Sequence, residues 1–227
     1  MTRGRSGRKR KPRTCGYCGK VAVTSDHIPT RKLFPQPRPA DLITVPACQP
    51  CNNATSTDEE YFINALLSHH RVMNAASDSV RAERFRVPAK ARRVRAARRI
   101  IGAARLVDVR TPAGLHAGKA IAFKVETKTL EAVLTRIVRG LYFHEWGQRI
   151  PDNATIRHVI DPAPAVLDQG EIRAVLAQGS GRSVGDGVFE YRIVRSTDDP
   201  NTGLCVMLFY QAVIVVTYFM RPAAAFL

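Results

Sequence analysis

The sequence predicts an α+β chain: a small zinc-stabilised unit at the N-terminus, a run of basic helices, then a C-terminal α/β region with a mainly antiparallel sheet. Three observations carry this. Two C-x-x-C pairs, Cys15/Cys18 and Cys48/Cys51, offer four thiolates at the spacing that closes a tetrahedral zinc site. Residues 77–110 are rich in arginine with helical periodicity, and the last forty residues alternate or run continuously in β-branched and aromatic side chains. The expected boundaries are a basic arm over 1–14, the zinc unit over 15–76, a basic helical connector over 77–110 and an α/β region over 111–227.

The net charge of +16 on 227 residues is unevenly placed: residues 1–110 carry 23 Lys/Arg against 8 Asp/Glu, and the remainder 12 against 11. A basic half joined to a neutral one points to a polyanion partner for the first half, with nucleic acid ahead of a membrane surface. Four cysteines are accounted for as metal ligands, and the N-terminus has no apolar leader region, so a reducing, cytoplasmic setting is expected. Cys205, in the run LCVMLFY, reads as a buried small hydrophobe. Leu204 to Met220 is nearly continuous apolar sequence, but it is short for a span, interrupted by Gln211, and better suited to two buried strands.

In chain order, residues 1–13 hold seven Lys/Arg and no acid, a tail suited to tracking phosphates, with Arg8 and Arg10 as candidate contacts. Gly16 and Gly19 allow the first knuckle to turn. Val21 to Thr24 reads as a short strand ending at Asp26-His27, and the proline-rich PTRKLFPQPRPADL as an irregular loop. Ile43-Thr44-Val45 offers a second strand before the Cys48/Cys51 knuckle. Asp58-Glu59-Glu60 look like first-turn acids of a helix capped by Ser56 or Thr57. Asp78 to Ala104 is helical. Pro88 opens its second helix, Val87, Ala91, Val94, Ala97 and Ile101 form an apolar stripe, and Arg92, Arg95 and Arg99 form a phosphate-contacting face. Further on, Lys128–Phe143 and Glu171–Gln178 read as helices, Ile156–Ile160 and the alternating Phe189–Val194 as strands, and Asp199–Gly203 as a turn. His144 and Trp146 are expected in the core.

The residues between the knuckles bear on chemistry. Hydrolysis of a phosphodiester needs an activated water and charge stabilisation at phosphorus. A histidine near its ordinary pKa takes a proton at neutral pH, and a hard cation prefers oxygen ligands with several waters retained. Asp26 supplies a carboxylate, Asn52 a carbonyl oxygen and His27 an imidazole. Adjacent strand positions point to opposite sides, which lets Asp26 and His27 divide metal binding from base duty.

Carrying CGYCG, the Asp26-His27 dipeptide and C-Q-P-C-N, the stretch Cys15 to about Tyr61 resembles the HNH nuclease family, in the subgroup whose ββα-metal fold is pinned by a four-cysteine zinc site. It is similar in layout to phage Holliday-junction resolvases. The resemblance implies His27 as general base, Asp26 and Asn52 as ligands of a catalytic Mg²⁺ or Mn²⁺, and structural Zn²⁺ on Cys15, Cys18, Cys48 and Cys51. It implies an endonuclease acting on duplex or branched DNA and leaving 3′-hydroxyl and 5′-phosphate ends. Arg31 or Lys32 would meet the scissile phosphate.

Two positions depart from the family pattern. Asp41-Leu42 stands where a loop-pinning asparagine belongs, and the further ligand on the closing helix is left open among Asn53, Asp58 and Glu59. The alternative from the cysteines alone is a catalytically silent zinc-knuckle nucleic-acid-binding protein. RNA is the second partner considered, and a homodimer is compatible with the C-terminal region.

Overall fold

A computed structural model describes residues 13–86 and 91–222. Arg8 and Arg10 in the N-terminal arm, and Val87 and Pro88 between the basic helices, lie outside the described residues.

Strands β1 (Thr24–Ile28) and β2 (Ile43–Ala47) pair antiparallel, with Asp26 opposite Val45 and His27 opposite Thr44. Helices α1 (Gln49–Asn53), α2 (Ser56–Leu67), α3 (Ala75–Arg86) and α4 (Ala91–Gly102) follow. A separate hairpin is made by β3 (Ala104–Arg110) and β4 (His116–Phe123). The long helix α5 (Thr127–Trp146) leads to β5 (Thr155–Ile160), α6 (Pro164–Leu167), α7 (Gly170–Gln178), β6 (Ser183–Val184), β7 (Phe189–Arg195), β8 (Gly203–Phe209) and β9 (Val213–Met220). The last five strands form one antiparallel sheet in the order β5-β9-β8-β7-β6.

The continuous apolar run of β8 and β9 is explained by burial on both faces. Cys205, Met207, Phe209, Val215 and Phe219 belong to a core shared with α5 and with the N-terminal residues. Their alternates Leu204, Val206 and Val216 pack under Ile172 and Val175 of α7. Cys205 is fully buried, as expected. Among the described residues no helix is long and apolar enough to cross a membrane.

Helix α5 joins the two ends of the chain. Leu130, Val133, Leu134, Ile137, Val138 and Leu141 are buried, as the sequence stripe predicts, and Gly147 ends the helix in the left-handed conformation (φ 64°). Gly140 lets it approach β1 closely, because a Cβ there would stand 2.7 Å from the Ile28 side chain. The same face brings Arg136 toward the first hairpin.

Several expectations are corrected. The first strand begins at Thr24 rather than Val21, and Val21 and Val23 lie exposed. The cap of α2 falls at Thr55, one residue early, because the short α1 intervenes. In α4 the buried positions are Ala96 and Ile100, so the core-facing stripe is rotated from the one expected and Ile101 is 71% exposed. His144 is exposed, whereas Trp146 packs on the core and on Tyr142. The β3–β4 hairpin was not foreseen.

His158 bridges α5 and β9. Its Nε2 lies 2.9 Å from Thr135 Oγ1 and its Nδ1 2.9 Å from Thr217 Oγ1, so a neutral ring satisfies both hydroxyls. Burial lowers its pKa to about 4. The unfolded chain therefore binds this proton first as pH falls. Stability should drop from just below pH 6.5 until about pH 4, by on the order of 3 kcal/mol from this residue. Denaturant melts at pH 7 and pH 4.5 should differ less in His158→Gln than in the wild type; an equal difference would remove the histidine from this role.

Candidate metal centre and its neighbourhood

The two knuckles converge. The sulfur atoms of Cys15, Cys18, Cys48 and Cys51 all lie within 4.8 Å of one another, with Cys18 and Cys48 at 3.6 Å. A tetrahedral zinc with Zn–S near 2.3 Å needs S···S edges of about 3.8 Å, so the cluster is compatible with a structural zinc. None of the four is in a disulfide. The first knuckle turns at Gly19 (φ 75°), and Gly16 N–H donates to Pro46 O at 2.8 Å, tying it to the end of β2. Burial opposes ionisation of Cys15, but the amides of Cys18, Cys48 and Tyr17 point at its sulfur and hold its pKa at about 6. Cys51 is pushed well above the ordinary thiol range, by burial and then by the neighbouring sulfurs. A low-pKa thiol beside one that resists ionisation suits a doubly charged cation, which favours the thiolate form of its ligands.

Asp26 and His27 lie on opposite sides of β1. Asp26 is 8% exposed, and its Oδ2 accepts from Tyr17 Oη at 2.6 Å and from Arg136 Nη2 at 2.7 Å. The Arg136 guanidinium also stacks over the Tyr17 ring at 4.1 Å. Burial, and then the charge on Asp26, keep Tyr17 a neutral donor. Oδ1 of Asp26 has no hydrogen-bond partner among the described residues. His27 is half-buried and makes no hydrogen bond or ion pair among them. Its pKa is lowered, first by burial and then by the nearby Arg31, while Asp26 opposes the shift, so the ring is neutral at neutral pH.

Asn52, the residue after the last knuckle cysteine, donates from Nδ2 to Thr24 Oγ1 at 3.4 Å. Thr24 and Asp26 are two residues apart on one strand and share its face, so Asn52 comes to the side that carries Asp26. The Asn52 carbonyl oxygen is unpartnered among the described residues. Glu59 is the closing-helix residue that comes near. It is largely buried, and burial, with Asp26 among the lesser causes, raises its pKa against the pull of Lys32. Among the described residues, the four cysteines are the one group of three or more His, Cys, Asp or Glu that converges tightly enough to hold a metal. Asp26, His27 and Glu59 do not form such a group.

The basic candidates divide. Lys32 pairs with Glu60 at 2.9 Å and lies 3.7 Å from Glu59, and Glu60 is further held by Arg84 at 2.8 Å. Asp58 and Glu59 are first-turn acids of α2, as the sequence reading has it, while Glu60 lies beyond that turn; Glu59 and Glu60 are both partners of cations. Arg31 is exposed and unpaired among the described residues. In α4, Arg99 bonds Glu126 and Thr129 and lies over the Tyr61 ring, while Arg92 bonds Ser56 Oγ at 2.6 Å; Arg95 remains unpaired among the described residues. Asp41 ties its loop to the C-terminal sheet, accepting from Gly185 N–H at 3.4 Å on its carboxylate and from Arg182 at 3.1 Å on its carbonyl.

Sequence reasoning missed Arg136 and Tyr17. The signal for Arg136 was an arginine between Val133 and Gly140 on the apolar face of α5, a position a charge takes only with a partner. Comparison with family models, with curated proteins and with solved structures gives no match for this chain.

Proposed function

We propose that the chain is a metal-dependent endonuclease of the HNH type, acting on DNA, with the ββα-metal unit formed by β1, β2 and the helices that follow. The observation that supports this reading is the contact of Asn52 Nδ2 with Thr24 Oγ1, which brings the residue after the last knuckle cysteine to the strand that carries Asp26 and a neutral His27.

The donor set suits a hard cation. Asp26 Oδ1 and the Asn52 carbonyl oxygen are both uncommitted, and Mg²⁺ or Mn²⁺ is commonly held by one or two such oxygens with water completing the shell. These two residues would hold it, and when bound it supplies Lewis-acid stabilisation to the phosphate and the departing 3′ oxygen. The chain's own groups do the rest. Tyr17 and Arg136 grip Asp26 Oδ2 and fix the carboxylate's rotation. His27 accepts a proton from water, and Arg31 beside it binds a phosphate oxygen. Arg95 and the N-terminal arm add affinity through the backbone of the nucleic acid.

One observation favours a second reading. Asp26 is buried and ion-paired to Arg136, as a purely structural carboxylate in a silent zinc-knuckle protein would be. Incubation of zinc-loaded protein with supercoiled plasmid separates the two. The nuclease reading expects nicked circles in millimolar Mg²⁺ or Mn²⁺, none without divalent metal, and nicks that DNA ligase reseals. Plasmid that is bound but stays supercoiled in every metal selects the silent module.

A further inference from the structure

The β3–β4 hairpin stands apart from both the metal centre and the sheet. All seven residues of β3 are exposed, and of β4 only Gly118 and Phe123 are partly covered. Phe123 anchors the base of the hairpin on the core, and Glu126, just beyond, is fastened by its N–H to Tyr61 Oη at 2.9 Å and by its carboxylate to Arg99. Above that base the ribbon runs roughly 20 Å with water on both sides. A two-stranded hairpin of this kind is marginal alone, and each of its strands is an unpaired edge.

Its surface is not that of a solvated ornament. Leu106 (65% exposed) stands opposite Ile121 (75%), and Leu115 at the tip is 69% exposed. The other face is flat and small, with Val107 against Ala120 and Val109 against Gly118. Over both faces the hairpin's cations Arg105, Arg110 and Lys119 outnumber its one acid, Asp108, which stands opposite Lys119 on the Leu106 face. Arg105 and Lys119 make no hydrogen bond or ion pair among the described residues, and Arg110 bonds only the carbonyl of Gly114, at 3.0 Å.

We propose that this hairpin is a ribbon that enters the major groove of duplex DNA, with Arg105, Arg110 and Lys119 on the phosphates and Leu115 leading. A two-stranded ribbon fits that groove, about 12 Å wide, and not the minor groove at about 6 Å. The flat Val/Ala/Gly face suits the thymine methyls on the groove floor. Charge selects this occupant over a second copy of the chain, because two copies would bring like-charged ribbons of a +16 protein together. The inference rests on the DNA reading above and extends it to substrate grip.

The test is fluorescence anisotropy of the zinc-loaded full chain on a labelled duplex, without added divalent metal, over a series of salt concentrations. The triple variant Arg105→Ala/Arg110→Ala/Lys119→Ala should lower the slope of log affinity against log salt by about 2–3, since each phosphate contact contributes roughly 0.9. Leu115→Ser should weaken binding severalfold at every salt with the slope unchanged, and methyl green, which occupies the major groove, should compete. All four positions are exposed, so thermal melts of the variants should match the wild type. An unchanged slope in the folded triple variant overturns the proposal. If that variant also changes from dimer to monomer in sedimentation, the ribbon is an interface between copies. A chain that nicks plasmid with an unchanged slope loses the ribbon and keeps the nuclease. One that shows the slope change but never nicks does the reverse.

Discussion

Cys48→Ser, or removal of zinc with a strong chelator, is expected to unfold the first hairpin and lower the melting temperature by more than roughly 10 °C. The reason is that the four cysteines join the two knuckles that flank this hairpin. β1 and β2 are five residues each, and a two-stranded hairpin is marginal without an added constraint. Structural zinc contributes about 10–16 kcal/mol in small metal domains, more than most single mutations can remove. Losing the cation also leaves the two knuckles with no bond between them, since none of the four cysteines is in a disulfide. The damage should be graded. Ile28, Ile43 and Val45 share one core with α5 and one face of the β7–β9 sheet, but the other face of that sheet packs separately with α7. Hydrogen exchange should therefore show protection lost over Thr24–Ala47 and kept over Cys205–Phe219. One zinc released per chain, counted with a chromogenic chelator, should accompany the transition. Zinc release without any change in melting would make the cluster incidental to stability.

His27→Ala is expected to reduce plasmid nicking about 10³-fold while DNA affinity stays within twofold. General-base catalysis contributes roughly 10²–10⁴ in rate, and the half-buried ring makes no hydrogen bond or ion pair among the described residues that its loss would break. Melting should be unchanged for the same reason. This separates it from Asp26→Ala, which would leave Arg136 buried and uncompensated at a cost of about 3–5 kcal/mol. A His27→Ala protein that nicks at the wild-type rate would remove the imidazole from the chemistry.

Much of this architecture was legible because local chemistry specified it. The knuckles announced themselves through C-x-x-C spacing, α5 through a sustained 3.6-residue stripe, and β8–β9 through β-branched residues too continuous for a one-sided strand. The interruption at Gln211 marked where β8 and β9 separate, but not the geometry of the reversal. Tyr210 and Gln211 both adopt positive φ (52° and 55°), a conformation no turn rule assigns to a tyrosine. It is enforced from a distance: Tyr210 Oη donates to Leu33 O at 2.6 Å, and Asn74 Nδ2 donates to Tyr210 O at 2.7 Å. The β3–β4 hairpin was missed for the opposite reason. Thr111-Pro112-Ala113-Gly114 is turn chemistry in plain view, but the strands it joins have no buried face, so no clean alternation marks them.

The candidate site divides in the same way. Asp26, His27 and Asn52 were readable because they sit at fixed offsets from the cysteines. Their electrostatic setting was not, because Arg136 arrives from 110 residues along the chain. The arginine run of α4 reads as a uniform phosphate face in sequence. In the fold, Arg99 is spent on Glu126 and Tyr61, and only a partner 27 residues distant shows it. Nearest-neighbour charge counting misses such pairs by construction.

The central claim is that Asp26 and Asn52 hold one divalent cation beside His27, and it is tested without activity by titrating Mn²⁺ into the zinc-loaded, ¹⁵N-labelled chain. The account predicts paramagnetic broadening centred on the amides of Asp26, His27 and Asn52, and its loss in Asp26→Asn. Broadening centred elsewhere, or undiminished in Asp26→Asn, would contradict it.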